Sequence, residues 1–196
     1  MIAALLASHN RHKLDELREL LPGWRIDPLG AAEAPEETGE TYAENARLKA
    51  RFGRAVAGPG LWVIGEDSGI ECDALGGAPG LHSARWAPGR DQADALLERL
   101  EGEPDRRARM VSELVCIAPA GGEFHAAGVL EGTIAPSRRG EAGFGYDPIF
   151  IPVGLERTVA ELGAEWKRRN SHRARSARGL AGAVAARGAY SATRRA

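Results

Sequence analysis

The residues Ile2 to Ala7 are apolar without a break, and the polar run Ser8–His9–Asn10–Arg11–His12–Lys13 follows them. Leu14, Leu17 and Leu21 then recur at helical spacing until Pro22–Gly23 stops the pattern. This predicts a strand, a loop at its C-terminal end, and a helix. From Pro28 to Gly39 the chain is loop-like and acidic, with Glu33, Glu36 and Glu37 close together. Thr41 and Glu44 have capping-box spacing, and Leu48, Phe52 and Val56 supply an apolar stripe, which predicts a second helix over about Thr41 to Ala57. Leu61–Trp62–Val63–Ile64 is a continuous apolar run with β-branched members, as in a strand buried on both faces, and it ends in Glu66–Asp67–Ser68–Gly69. The stretch Gly76 to Gly80 lacks periodicity, and Asp91 can cap a helix carrying Ala93, Leu96, Leu97 and Leu100. Arg109 to Ala118 and Glu123 to Ile134, separated by Gly121–Gly122, read as a β-hairpin. A glycine loop, Gly140 to Gly145, leads into the short strand Ile149–Phe150–Ile151. The end reads as one basic helix with Ala177, Leu180, Ala181 and Val184 on its apolar side.

No repeat or linker interrupts this succession, so the 196 residues read as a single α/β domain with an inserted hairpin lobe at about 108–135. Composition narrows the class. The formal net charge is −1, which gives no global field to recruit nucleic acid or an anionic membrane. From Glu165 onward nine Lys and Arg face a single acid, but these arginines lack interleaved aromatics for stacking on a nucleic acid strand. No apolar stretch approaches the roughly 20 residues of a membrane span. The start lacks the apolar core and basic flank of a signal peptide. Cys72 and Cys116 make no disulfide framework and have no partner at zinc-ligand spacing. The expectation is a soluble, cytoplasmic protein.

Five places carry candidate chemistry. The loop Ser8 to Lys13 follows a strand and opens a helix, where free N–H groups and the helix dipole favour an anion such as phosphate; a plain strand–helix turn is the alternative. Asp67 stands where α/β sheets place their ligands. With Glu66 and Glu71 it forms a crowded carboxylate run that a hard divalent cation would relieve, and Glu36 could complete such a site. Thr41, Asn45 and Lys49 lie four apart on one helix face, opposite Leu48 and Phe52. Gly143–Phe144–Gly145–Tyr146–Asp147–Pro148 suits a backbone approaching a planar ligand, with a ring for stacking, or else a tight turn that uses Phe144 as a core cap. Lys167, Ser171, His172 and Arg173 cluster donors near the start of the last helix, a place that asks for an anionic or carbonyl partner. Together these features point to a nucleoside phosphate handled with Mg²⁺.

The runs ASHNRHKLDEL, EETGETYAENARLKA, GEDSGIECDALGGAPGLHSARWA, GFGYDPIF and AELGAEWKRRNSHRA span about Ala7 to Ala174. In these runs the sequence resembles the inosine triphosphate pyrophosphatase family, enzymes that hydrolyse dITP, ITP and XTP. The resemblance implies an α/β fold with an elongated twisted mixed sheet flanked by helices, two lobes with the active cleft between them, and a homodimer. It implies cleavage between the α- and β-phosphates, with Mg²⁺ required, to a nucleoside monophosphate and pyrophosphate. By position, Ser8, His9, Asn10, Arg11, His12 and Lys13 would hold the phosphates with Lys49 assisting. Glu36 and Asp67 would hold the metal, Asp67 would accept the proton of the attacking water, and Ser68 would contact substrate. Phe144 would stack on the base beside Gly145, Tyr146 and Asp147, while Lys167, His172 and Arg173 would face the purine's 6-oxo edge.

The sequence departs from the family pattern at Ser8–His9, where many relatives read Thr-Gly, at Glu66, where Asp is common, and at Arg168 and Asn170. Two other readings stay open: a pyrophosphatase for another modified nucleotide, and a nucleotide-binding sensor that does not hydrolyse. Lys13, Glu36, Lys49 and Asp67 speak against the sensor, because binding alone needs no metal-linked base.

Overall fold

The computed structural model describes residues 1–30 and 35–193. Glu33 of the acidic loop and Arg194 and Arg195 of the basic tail lie outside the described residues. The elements run β1 (Ile2–Leu6), α1 (Arg11–Leu20), β2 (Trp24–Pro28), α2 (Tyr42–Val56), β3 (Trp62–Cys72), α3 (Gln92–Arg99), β4 (Arg107–Ile117), β5 (Glu123–Ile134), β6 (Phe150–Pro152), α4 (Val159–Asn170) and α5 (His172–Thr193). The strands are hydrogen-bonded in the order β2-β1-β3-β4-β5-β6. β1 is parallel to β2 and β3, and β6 is antiparallel to β5, so the sheet is mixed, as expected.

The chain divides into two compact units: Met1–Asp67, Ser112–Gly128 and the chain from Arg173 onward form the first, and Ser68–Val111 with Val129–His172 form the second. The hairpin expected as a lobe is instead two long strands of the sheet, each divided between the units. The reason lies in β4, whose residues Leu114 to Ile117 are buried at consecutive positions; such a strand needs cover on both faces and cannot stand as a separate ribbon.

In the first unit, one sheet face packs Leu6, Ile64, Leu114 and Cys116 against Leu14 and Leu17 of α1 and Ala177 and Leu180 of α5. The other face packs Val115 and Ile117 against Ala46 and Ala50 of α2. Thr41 caps α2 by accepting the Glu44 N–H at 3.1 Å, and Glu44 answers by accepting the Glu40 N–H at 2.7 Å. The predicted apolar stripe is on the wrong side of this helix. Tyr42, Asn45, Ala46, Lys49, Ala50 and Gly53 are buried, whereas Leu48 and Phe52 are half-buried and Val56 is 58% exposed. The cause is close approach: a Cβ on Gly65 would lie 1.9 Å from the Ala46 carbonyl oxygen, and one on Gly53 2.6 Å from Val63 Cγ1. Only small side chains fit between helix and strand.

β3 also runs further than its apolar stretch. Its pairing with β1 covers Ala4↔Trp62 to Leu6↔Ile64, but the strand continues through Glu66 and Asp67 to Cys72. Asp67 therefore lies beyond the pairing with β1 yet within regular strand. The short strand β2, with only Ile26 buried, carried no pattern long enough to be predicted.

In the second unit, Ile70, Leu96, Leu100, Met110, Leu130, Ile149, Phe150 and Val159 form the core. Asp91 caps α3 as predicted, accepting the Ala93 and Asp94 N–H groups at 2.9 and 3.1 Å. The single basic helix expected at the end is two helices. Thr158 and Glu161 form a capping box that starts α4, and Ser171, in extended conformation, ends it before α5.

Gly65→Ala is expected to cost about 1–3 kcal/mol through overpacking, read by urea denaturation. Gly23→Ala, whose Cβ would meet nothing within 4 Å, is expected to stay within about 0.5 kcal/mol. Equal stabilities for the two variants would contradict the tight contact of α2 on β3.

Candidate active site

The first unit gathers its candidate residues around the end of β1 and the middle of β3. The Ser8 to Lys13 run is shorter as a loop than expected, because Asn10 is the N-cap of α1 and accepts the Lys13 N–H at 3.2 Å. Ser8 Oγ accepts the Asn10 N–H at 3.2 Å, which folds the turn back on itself. The first turn of α1 has no acid, and His9, Arg11 and His12 are exposed there, so the helix N-terminus presents N–H groups and cations. These are the conditions that attract a phosphate. A pocket of about 390 Å³ opens here, lined by Ser8, His9, Asn10 and Arg11 together with Leu29 and Phe52.

Glu66 and Asp67 are consecutive strand residues and so point to opposite sheet faces. Both are buried. On the α1/α5 side, Glu66 Oε2 is 2.6 Å from Lys13 Nζ. Glu66 Oε1 accepts from Arg173 Nε and Nη2 at 3.2 and 3.1 Å. Arg173 also donates to Glu16 of α1. Burial works against the Glu66 carboxylate, but the charges of Lys13 and Arg173 prevail and hold it well below the usual range.

On the α2 side, Lys49 donates to Asp67 Oδ1 at 2.8 Å and to the Glu66 carbonyl at 3.1 Å. Lys49 Nζ also lies 2.6 Å from Glu37 Oε1. Asn45 donates to Asp67 Oδ2 at 3.4 Å while its own Oδ1 accepts the Gly39 N–H at 2.8 Å. Burial raises the Asp67 carboxyl above its ordinary range, and Lys49 offsets this only in part, while neighbouring Glu66 adds to it. Lys49 is raised as well: burial opposes its charge, but Asp67 and Glu37 outweigh it. A buried carboxylate poised to take a proton is what general-base work requires.

Four expected placements change. Glu37 rather than Glu36 joins Lys49; Glu36 is exposed, and its carbonyl accepts the Thr38 N–H at 3.1 Å. An irregular loop has no periodicity to tell adjacent acids apart. Glu71 leaves the carboxylate run, being committed to Arg109 at 2.6 Å. Thr41 is exposed at the helix start, away from the buried Asn45 and Lys49. The fourth is Arg173, whose guanidinium is buried on Glu66 and Glu16 and not presented as a donor for a base. Glu16 itself was not foreseen; its position three residues after Lys13, on the same face of α1, was the available signal.

The second unit holds the aromatic loop. Asp147 is buried and accepts the Phe144 N–H at 2.8 Å and Lys167 Nζ at 2.5 Å. Lys167 Nζ also lies 4.3 Å from the centroid of the half-buried Phe144 ring, a cation–π contact. Tyr146 donates its hydroxyl to the Ser83 carbonyl at 2.8 Å. Gly145 has φ +60°, the left-handed backbone that glycine adopts without strain, and it carries the turn between the two rings. Lys167 sits in the last turn of α4, where the helix dipole favours a cation, and not at a helix start as expected. Ser171 and His172 are buried, and Ser68 is half-buried.

Asp67 and Glu37 offer hard oxygen donors within 2.8 Å of one ammonium, a separation that one small divalent cation could also bridge. Among the described residues no group of three His, Cys, Asp or Glu is arranged to hold a metal alone. An ion here would draw further oxygens from a phosphate. Burial pushes the thiols of Cys72 and Cys116 up to about 12, which rules them out as nucleophiles near neutral pH.

The family model of the Ham1 family matches residues 4–183. The chain belongs to the Ham1 family. Its relatives include the dITP/XTP pyrophosphatase of Symbiobacterium thermophilum, 48% identical over 179 residues, which cover 88% of this chain and 89% of that one. The dITP/XTP pyrophosphatase of Deinococcus radiodurans is 43% identical over 190 residues, covering 94% and 92%. Among solved structures, a HAM1 protein from Coxiella burnetii aligns with a TM-score of 0.83 at 35% identity, over 94% of this chain and 99% of that one. Membership of the Ham1 family agrees with the α/β fold and with the phosphate-loop, β3 and aromatic-loop motifs.

The Ham1 chain's buried Glu66 gives a test of the local electrostatics. Arg173→Ala is expected to cost about 3–5 kcal/mol at pH 7, because it strips a partner from buried carboxylates. Glu66 has a lowered folded pKa, so its stabilisation is complete above about pH 4.3, the unfolded value, and is lost as pH falls through the folded one. Losing Arg173 raises the pKa of the buried carboxyl in the variant, so the penalty measured by urea denaturation should be greatest near pH 7 to 8 and shrink as acid protonates the uncompensated group.

Proposed function

We propose that this protein hydrolyses nonstandard purine nucleoside triphosphates, dITP, ITP and XTP, to the nucleoside monophosphate and pyrophosphate, and so clears deaminated purines from the nucleotide pool. The observation that carries the reading is Asp67: buried, oriented through both oxygens by Lys49 and Asn45, and shifted toward proton acceptance. The pyrophosphatase names of relatives such as those of S. thermophilum and D. radiodurans support the substrate class.

Ser8 to Lys13 are assigned to the triphosphate, with N–H groups and cations at the start of α1. Lys49 holds Asp67 in place and offsets charge on the phosphates. Asp67 takes the proton from the attacking water, whose oxygen forms the new bond to phosphorus while the bond to the pyrophosphate oxygen breaks. Asp67, with Glu37 or the expected Glu36, would hold a divalent cation, with Mg²⁺ as the proposed ion. When bound, that cation supplies charge neutralisation on phosphate oxygens, the main demand of phosphoryl transfer.

For the base, Phe144 is assigned to stacking, with Gly145, Tyr146 and Asp147 forming and fixing its loop and Ser68 contacting substrate. Lys167 and His172 are the donors toward a 6-oxo group. Adenine presents a 6-amino donor there and would leave buried donors unpaired, a mismatch that can discriminate by roughly 10⁴-fold. A homodimer working in the cytoplasm, without nucleic acid or membrane, completes the reading. Among the described residues no helix is long and apolar enough to cross a membrane.

With Mg²⁺, pyrophosphate release from dITP, ITP or XTP should exceed that from dATP and dGTP by at least about 100-fold; equal rates on all five would refute the specificity. Asp67→Asn should lower kcat by about 10²–10⁴-fold. Because the deprotonated form is the base, kcat/KM should rise with pH along an acid limb and level off once Asp67 is ionised. A variant at Asp67 that retains full turnover would place the base elsewhere.

A further inference from the structure

Glu66 is fully buried, and both of its oxygens are taken: Oε2 by Lys13 and Oε1 by the Nε and Nη2 of Arg173. On this face its carboxylate is balanced by ion pairs with two cations, although it adjoins Asp67. Lys13 stands in the first turn of α1, where its charge opposes the helix dipole. Left to itself, a lysine there would swing into solvent. Arg173 returns to α1 through Glu16, so two cations and two carboxylates form a closed, charge-balanced group linking α1, β3 and α5.

We propose that Glu66 is a positioning residue for the reaction: by anchoring Lys13 against β3 it fixes the ammonium at the phosphate end of the site. This rests on the function proposed above and gives that site a residue that acts through Lys13. An ammonium has three donor hydrogens, so Lys13 can keep Glu66 while offering others to a phosphate oxygen. Glu66→Gln would turn one of the two oxygens into an N–H₂ group facing a cation, and Lys13 or Arg173 must then let go. Glu66→Asp keeps the charge on an arm one methylene shorter.

The experiment is a double-mutant cycle on the full chain with dITP and Mg²⁺, using Glu66→Gln, Lys13→Ala and the double variant, with Glu66→Asp beside them. Glu66→Gln should lower kcat by about 10–100-fold with KM within about threefold, as expected when a transition-state contact is misplaced. Glu66→Asp should recover most of that loss. In the Lys13→Ala background Glu66→Gln should cost less than about threefold, because the two act as one unit. Additive losses, or a Glu66→Gln enzyme within twofold of the parent, would overturn the proposal. Two readouts do not need turnover. The Lys13 ammonium should give a protected ¹⁵N NMR signal that Glu66→Gln removes, and calorimetric binding of inorganic pyrophosphate should follow the same cycle. If the parent hydrolyses none of the nucleotides, the proposed function fails while these two measurements still decide the role of Glu66. Should Glu66→Gln not fold, as judged by near-UV circular dichroism, Glu66→Asp carries the cycle: a loss of a few-fold that vanishes beside Lys13→Ala supports anchoring, and one that persists there refutes it.

Discussion

Burying a carboxylate costs several kcal/mol unless a cation goes with it, and this chain buries two at adjacent positions of one strand. Strand geometry sends Glu66 and Asp67 to opposite faces, so they cannot share one partner. Each face must supply its own cation from its own helices. Lys13 of α1 and Arg173 of α5 serve Glu66, and Lys49 of α2 serves Asp67. The partners are unequal. Glu66 has two cations and stays ionised, whereas Asp67 shares one lysine with Glu37 and is displaced toward protonation. A single dipeptide thus yields a fixed anion and a carboxyl displaced toward protonation from the same chemistry.

That division needs α2 to lie unusually close to β3. Lysine and asparagine side chains rooted on a helix at ordinary distance would spend their length crossing the gap. With Gly65 under Ala46 and Gly53 against Val63, the helix backbone nearly touches the strand. Lys49 then reaches the backbone carbonyl of Glu66 as well as the Asp67 side chain. The small residues of this contact are thus the means by which two polar side chains are buried, and they explain why the bulkier Leu48 and Phe52 are only half-buried and Val56 is exposed.

This inversion also marks the boundary of what sequence could tell. β1, the turn at Ser8–Asn10, α1 and the caps of α2 and α3 were legible because local signals decide them: apolar periodicity and a side chain accepting a nearby N–H. The buried face of α2 was not, since the rule that large apolar residues face inward fails where glycine and alanine set the spacing. Asp67 was singled out by its place after an apolar strand, and the structure buries it there beside Lys49 and Asn45, although that strand proved to continue past it. Arg173 looked like a ligand donor because its acids, Glu16 and Glu66, are remote in sequence; only folding brings them together. The pairing of Glu37 with Lys49 is of the same kind. The start of α4 had a visible signal in the Thr158 and Glu161 capping box, whereas its end at Ser171 carries no glycine or proline to announce it.

In the second unit an acid is again spent on structure so that its neighbours are held in place. Asp147 accepts a backbone N–H from the aromatic loop and an ammonium from α4, which ties the Phe144 ring and Lys167 to one point. The cation over the ring withdraws electron density from one face of it, and the ring gives the lysine an apolar wall on one side. A lysine so confined has few directions left for its remaining hydrogens. Under the proposed function, selectivity for a carbonyl edge over an amino edge would depend on that confinement, because a freely moving ammonium would tolerate either group by swinging away into water. Donor identity alone would therefore give weak discrimination, and on the proposed reading the buried Asp147 would supply the rigidity that lets a mismatch be felt.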